Sequence, residues 1–184
     1  MRLSLPIALT CLSMALPAAA QDIAAEYAAA FAAFTLPGYA GRDPEAALAA
    51  IEASLPGLQG NWVRADLLSD DTAVLDPAML ANACARHYEQ LVHSSPHGFE
   101  MRRTNRDGKV LLRVQYDFVG LNFFDRSYDE AEWLAYLGFD ADQMAHASAY
   151  YGQPRGEVIL FVPGPNTMVF QETRGLTEIY TRCP

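Results

Sequence analysis

The strongest constraint on the fold of this chain is an alternation of apolar and polar residues on both sides of a turn signal. The dipeptide Asp107-Gly108 is typical of a β-hairpin turn. Before it, Phe99 and Met101 alternate with charged residues. After it, every second residue is apolar, namely Val110, Leu112, Val114, Tyr116 and Phe118. Because side chains along a strand point alternately to opposite faces, the sequence predicts an antiparallel hairpin with one apolar face.

The rest of the chain divides into further strands and helices. Apolar runs bounded by turn residues predict strands at 62–67, 121–124, 157–162, 167–172 and 176–182. Apolar stripes at helical spacing predict helices at 21–34, 43–55 and 77–92. Capping boxes that begin at Ser127 and at Asp140 predict two more, at 127–137 and 140–151. Because no βαβ alternation is present, a parallel nucleotide-binding sheet is not expected. The predicted fold class is α+β: an antiparallel sheet of about five or six strands covered by helices, preceded by an Ala-rich helical segment.

One tripeptide resembles a known family. Gly60-Asn61-Trp62 is similar to the G-x-W motif with which lipocalin-like barrels enter their first strand. Those barrels continue directly into further strands, whereas here Asp76-Pro77 caps a predicted helix. The resemblance covers three residues, and the chain is not assigned to the family.

Residues 1–20 have the three parts of a secretory signal peptide. Arg2 carries a positive charge, residues 3–16 are mostly apolar, and Ala18 and Ala20 are small residues preceding a cut after Ala20. The apolar run is shorter than the roughly 20 residues of a membrane-spanning helix, and no span is expected in the mature chain. The predicted organisation is a signal peptide at 1–20, an Ala-rich helical segment at 21–59 and an α+β domain at 60–184, in the periplasm or secreted.

Two cysteines, Cys84 and Cys183, follow the predicted signal peptide. An even pair in an exported protein is most simply a disulfide. Cys84 lies on the apolar stripe of the predicted helix 77–92, and Cys183 shares a strand face with Ile179. Since both cysteine side chains are expected to face the interior, the sequence predicts that they form a disulfide.

The charge balance limits the partners of this protein. The chain has 22 Asp and Glu against 13 Lys and Arg, a formal net charge of −9. Nucleic acid is not an expected partner, since phosphate binding requires clustered cations. One cationic cluster surrounds the predicted hairpin turn. It is a candidate anion patch, with solvated strand and turn positions as the alternative, and consists of Arg102, Arg103, Arg106, Lys109 and Arg113.

Three histidines, His87, His93 and His97, fall close together in the chain. Imidazole is an ordinary ligand of zinc and copper, but His87 and His93 are six residues apart, which places them on different faces of a helix. We therefore predict no metal or other cofactor, and we interpret His87 as a hydrogen-bonded core residue beside Leu80 and Cys84. The alternative is a small metal-dependent hydrolase that uses the three histidines.

The middle of the chain has more large aromatic residues than one buried stripe needs. Such a surplus lines ligand cavities or partner-docking patches. No G-x-S-x-G elbow, phosphate-binding glycine loop or C-x-x-C motif occurs. The expected function is that of an exported, non-catalytic binding or accessory protein of the bacterial cell envelope, which holds a small apolar ligand or docks on another envelope protein. The candidate surface consists of Tyr116, Phe123, Phe124, Trp133, Tyr136, Tyr150 and Tyr151.

The signal-peptide assignment gives a direct prediction. When the full chain is expressed with an active export system, the mature protein begins at Gln21, because Ala18 and Ala20 present the small side chains that the processing peptidase accepts. Intact mass of the exported protein measures this. A product that retains residues 1–20 contradicts the assignment.

Overall fold

The described residues fold around a closed antiparallel barrel. The computed structural model describes residues 18–34, 53, 55–70, 72–95, 98–120, 122–140, 142–143, 156–172 and 177–184. Within these ranges each of eight strands pairs with the next one in sequence, and the last pairs with the first. The strands are β1 (Gly60–Arg64), β2 (Tyr88–Ser95), β3 (Gly98–Thr104), β4 (Val110–Gly120), β5 (Phe123–Tyr128), β6 (Gly156–Gly164), β7 (Thr167–Glu172) and β8 (Thr177–Arg182).

Helices lie before the barrel and in two of its connections. They are α1 (Ala18–Phe34), α2 (Pro77–Arg86) and α3 (Glu130–Leu137), with short 3-10 turns η1 (Leu55–Leu58) and η2 (Asp66–Leu68). The Asp76 side chain caps α2 by accepting a hydrogen bond from the Ala78 backbone N–H at 2.7 Å. α3 ends at Gly138, whose φ of 69° is the left-handed conformation of a helix C-cap. None of the helices in the described ranges has the length and apolar character needed to cross a membrane.

The prediction of a five- or six-stranded sheet covered by helices is wrong. The helix expected at 77–92 ends at Arg86, and the chain from Tyr88 becomes a strand that pairs with both β1 and β3. Leu91 fits the helical stripe of Leu80 and Cys84, but it also fits a strand in which every second side chain points inward. Backbone pairing on both sides decides in favour of the strand, and the sheet closes without free edges.

Three other predicted helices have different outcomes. The helix expected at 127–137 begins later, because β5 continues to Tyr128 and the N-cap is Asp129, which accepts from the Glu132 backbone N–H at 2.9 Å. Asp140 and Gln143 do form the expected capping contacts. The helix expected at 43–55 and most of the one expected at 140–151 lie outside the described residues.

The interior of the barrel is filled by large side chains that alternate along the strands. Eight strands enclose a space just wide enough for side chains or for one small ligand. In this barrel the rings of Phe99 and Tyr116 stack with centroids 4.7 Å apart, and Phe170 meets Tyr180 edge-on at 5.4 Å. The buried residues around them form one core: Leu55, Leu58, Trp62, Leu91, Met101, Leu112, Val114, Phe124, Val158, Leu160 and Met168.

Trp62 and Arg182 close one end of the barrel. The Trp62 indole N–H donates to the Leu58 carbonyl oxygen at 2.8 Å, and the Arg182 guanidinium lies 4.4 Å from the centre of the Trp62 ring. Gly60 has a φ of 143°, and a Cβ there would lie 2.7 Å from Arg182 Nη1. The tripeptide Gly60-Asn61-Trp62 therefore does open the first strand of a barrel. The helix after Asp76-Pro77, which distinguishes this chain from the lipocalin-like barrels, is α2 and lies in the β1–β2 connection.

α1 packs on the outer face of the last strands. Its buried residues Ile23, Tyr27, Ala30 and Phe34 recur every three or four positions, as the predicted helix at 21–34 requires. They form a second core with residues of β6–β8, in which the rings of Phe34 and Phe161 are 4.8 Å apart. The Ala-rich helix is thus a packed layer of the molecule.

The predicted pairing of Cys84 and Cys183 is confirmed. The two residues form a disulfide with their Cα atoms 5.7 Å apart, and the bond joins α2 to the end of β8. Leu80 is the buried residue of α2. Ala83 and Cys84 pack against the same core as Leu80, so the disulfide adds a covalent restraint to the apolar attachment of α2.

Replacing Cys183 by Ser should lower the free energy of unfolding by about 2–5 kcal/mol, because the cross-link closes a long loop in the unfolded chain. Urea unfolding of the mature protein measures the loss. Cys84→Ser and the double variant are the controls, and both should show the same loss, since each removes the same bond. A double variant as stable as the wild type contradicts the prediction.

Candidate functional site

Strand pairing is incomplete at the end of the barrel opposite η1, where β1 and β2 separate. β1 pairs with β2 only as far as Trp62, which lies opposite Glu89. The last two residues of β1, Val63 and Arg64, pair with β8 alone. Tyr88, the first residue of β2, pairs with β3 alone. A gap therefore opens between two neighbouring strands, and we call this end the mouth of the barrel.

The β1–β2 connection and α3 enclose a cleft at the mouth. The connection, residues 65–87, contains η2 and α2, and α3 contributes Tyr136. The enclosed volume is about 520 Å³, and we call it the mouth cleft. Its lining comes from β1 to β4 and from these helical segments: Trp62, Val63, Arg64, Leu67, Leu68, Met79, Asn82, Ala83, Arg86, His87, Tyr88, Glu89, Arg103, Thr104, Leu111 and Tyr136.

Large apolar side chains are exposed around the mouth cleft. Leu67 of η2 is 65% exposed and Met79 of α2 is 45% exposed, and Leu111 and Tyr136, which also line the cleft, are each 37% exposed. Among the described residues, two other large apolar side chains are as exposed, Val74 and Val119, and neither lines the cleft. Exposed apolar area is therefore concentrated at one place on the molecule.

A network of charged side chains begins at Arg64 on one side of the cleft. The Arg64 guanidinium donates to both Asp66 carboxylate oxygens and to Glu178 Oε1, the latter at 2.9 Å. Asp66 is buried and also accepts from the Ile179 backbone N–H at 3.2 Å. Two carboxylates therefore neutralise this guanidinium and fix its position.

Glu89 and Arg103 form the second ion pair of the mouth. Arg103 Nε lies 2.9 Å from Glu89 Oε1, and Arg103 Nη1 donates to the Tyr136 hydroxyl at 3.3 Å. Burial raises the pKa of the Glu89 carboxyl, and the attraction of Arg103 offsets only part of this effect. Burial lowers the pKa of Arg103, but Glu89, Tyr180 and Tyr136 together outweigh burial, so the net direction is upward.

The charged side chains continue inside the barrel beyond the cleft. Arg126 Nη2 donates to Glu172 Oε1 at 2.6 Å. Burial, together with the nearby Glu178 carboxylate, raises the pKa of both Tyr116 and Tyr180. The mouth end of the lumen therefore contains paired charges, whereas the end at Leu58 is apolar.

The predicted aromatic surface does not form one patch. Tyr116 and Phe124 are buried in the barrel core, and Phe123 is half-buried on β5. Trp133 and Tyr136 lie on α3 with their rings 5.9 Å apart, and of the described members only Tyr136 lines the mouth cleft. Tyr150 and Tyr151 lie outside the described residues.

The predicted anion patch is also divided by the structure. Arg103 points into the mouth. Arg102 pairs with Glu100, and Arg113 pairs with Glu132 of α3. Arg106 and Lys109 are exposed at the hairpin turn. Alternation along β3 places Arg103 on the inner face and Arg102 on the outer face, where Arg102 lies opposite Arg113 of β4.

The prediction that His87 is a core residue is wrong. α2 ends at Arg86, so His87 is the exposed C-cap residue of that helix and lies on the wall of the mouth cleft. The side chains of His93 and His97 lie outside the described part of the chain. Within the described residues, no three His, Cys, Asp or Glu side chains are grouped as metal ligands.

Sequence reasoning missed the charged residues of the mouth, including Arg64, Glu89 and Glu178. A signal for them was present: Glu178 shares a strand face with Tyr180, and Arg103 shares the strand face of Phe99 and Met101. A charged residue on the inward face of a strand is uncommon and indicates a paired or functional position.

The fold and the site together define an up-and-down barrel with a filled lumen and a charged, partly apolar cleft at its mouth. Comparisons with protein-family models, with curated proteins and with solved structures find no match for this chain.

The raised pKa of Glu89 predicts a pH-dependent contribution to stability. The folded state binds the Glu89 proton more tightly than the unfolded state does, so the wild type loses stability relative to Glu89→Gln as pH rises from about 4 through the folded-state pKa. Urea unfolding of both proteins across this range measures the difference. The control is Thr104→Val, a buried neighbour that does not titrate, whose difference from the wild type should stay constant. A constant difference for Glu89→Gln contradicts the prediction.

Proposed function

We propose that this protein is an exported, non-catalytic binding protein that holds a small, mainly apolar molecule in the mouth cleft. The observation that carries the proposal is the gathering of Leu67, Met79, Leu111 and Tyr136, all exposed, around one concave site. A volume of about 520 Å³ is in the range typical of small-molecule pockets.

The position of the cleft favours a small ligand over a docked protein. Its walls come from β1–β4, η2, α2 and α3, so a bound molecule contacts several elements at once. Phe99, Tyr116 and Phe170 are buried in the lumen with their rings in mutual contact. The ligand therefore sits at the mouth and does not enter the apolar half of the barrel.

The proposal that the protein is exported rests on two features. Residues 1–20 have the composition of a signal peptide. The Cys84–Cys183 disulfide is the kind of bond that persists in oxidising compartments. In addition, this bond fixes α2, which forms one wall of the cleft, so an oxidising environment keeps the site assembled.

The neutral fluorophore N-phenyl-1-naphthylamine tests the proposal. It should bind the mature protein at one site, with saturable fluorescence enhancement. Met79→Gln should weaken binding by about tenfold, since losing the apolar contact of one side chain costs on the order of 1.4 kcal/mol.

Val119→Thr is the matched control for this experiment. Val119 is 56% exposed on β4 and lies away from the cleft, so its replacement should leave the affinity unchanged. Absence of saturable binding, or equal effects of the two substitutions, contradicts the proposed function.

A further inference from the structure

The charges around the mouth cleft differ in whether the protein already neutralises them. Arg64 is paired with Asp66 and Glu178, and Arg103 is paired with Glu89. Carboxylates of the protein therefore neutralise the charges of these two guanidinium groups before any ligand binds. The Glu89 carboxylate is buried in its pair and is not available to a cationic ligand.

Arg86 is the exception among the arginines of the cleft. It lies in the last turn of α2, is exposed, and makes no ion pair with any residue in the described ranges. His87 follows it on the same wall and is also exposed. An imidazole ring donates a hydrogen bond in either protonation state. Two donors, one of them a permanent cation, thus stand together at the rim of the cleft.

The apolar side chains lie along the same α2–η2 wall. Met79 precedes Arg86 by about two helical turns on α2, and Leu67 of η2 lines the same cleft. A molecule that lies along this wall places one end against thioether and leucine carbon atoms and the other end against a guanidinium group. The chain as a whole carries a formal net charge of −9, so a positive rim here is a local reversal of sign.

We propose that the ligand of the mouth cleft is an amphipathic anion, whose acidic group binds Arg86 and His87 and whose apolar body lies on Met79 and Leu67. This inference deepens the proposed function and depends on it. Charge-assisted hydrogen bonds from a guanidinium to a carboxylate, sulfonate or phosphate are stronger than neutral ones, which gives the site its preference.

Two fluorophores with the same aromatic body separate the charge from the apolar contact. 1-Anilinonaphthalene-8-sulfonate carries a sulfonate that N-phenyl-1-naphthylamine lacks. The wild type should bind the sulfonate probe about tenfold more tightly than the neutral probe at low salt, and the preference should shrink as salt is added. Met79→Gln should weaken the binding of both probes.

Arg86→Gln should remove the preference for the sulfonate probe and leave the affinity for the neutral probe unchanged, which also shows that the variant is folded. Arg106→Gln, at an exposed arginine of the hairpin turn outside the cleft, should keep the preference. Equal binding of the two probes by the wild type, or a preference that survives in Arg86→Gln, overturns the inference and leaves the proposed function standing. If neither probe binds, both are overturned.

Discussion

The structure depends on the way β1 is shared between its two neighbours. This strand pairs with β2 through its first half and with β8 through its second half, and Trp62 takes part in both pairings. The stagger closes the barrel, because β8 is joined to the first strand and no edge is left open. The same stagger separates β1 from β2 at the mouth. The register of β1 with its two neighbours therefore both closes the barrel and opens the cleft.

The polar half of the lumen is possible because its charges are paired. Leaving a guanidinium or carboxylate alone in this space would cost several kcal/mol, whereas pairing and hydrogen bonds reduce that cost. Arg64, Arg103 and Arg126 each face a carboxylate on a different strand. These cross-strand pairs hold the mouth in a defined shape together with the apolar packing of Leu112.

The local structure could be predicted from the sequence better than the closure of the barrel. The hairpin around Asp107-Gly108, β7 and the disulfide all follow from short patterns. β2 could not be read in the same way, since Leu80, Cys84 and Leu91 fit one helical stripe and only pairing with β1 and β3 decides against it. The cleft was not predictable for the same reason. Its walls lie far apart in the chain and meet only when the register of β1 is known.

The packing of α1 has a consequence for how the chain reaches its folded state. This helix comes first in the described chain, yet its buried face contacts β6, β7 and β8, which come last. β1 likewise cannot complete its pairing before β8 is present, and Cys84 cannot form its disulfide before Cys183 is present. Contacts between such distant segments slow folding. A chain emerging from its N-terminus must therefore leave α1 and β1 without their contacts to β8, and Cys84 without Cys183, until the last eight described residues arrive. The interval before closure is the time of greatest exposure to aggregation.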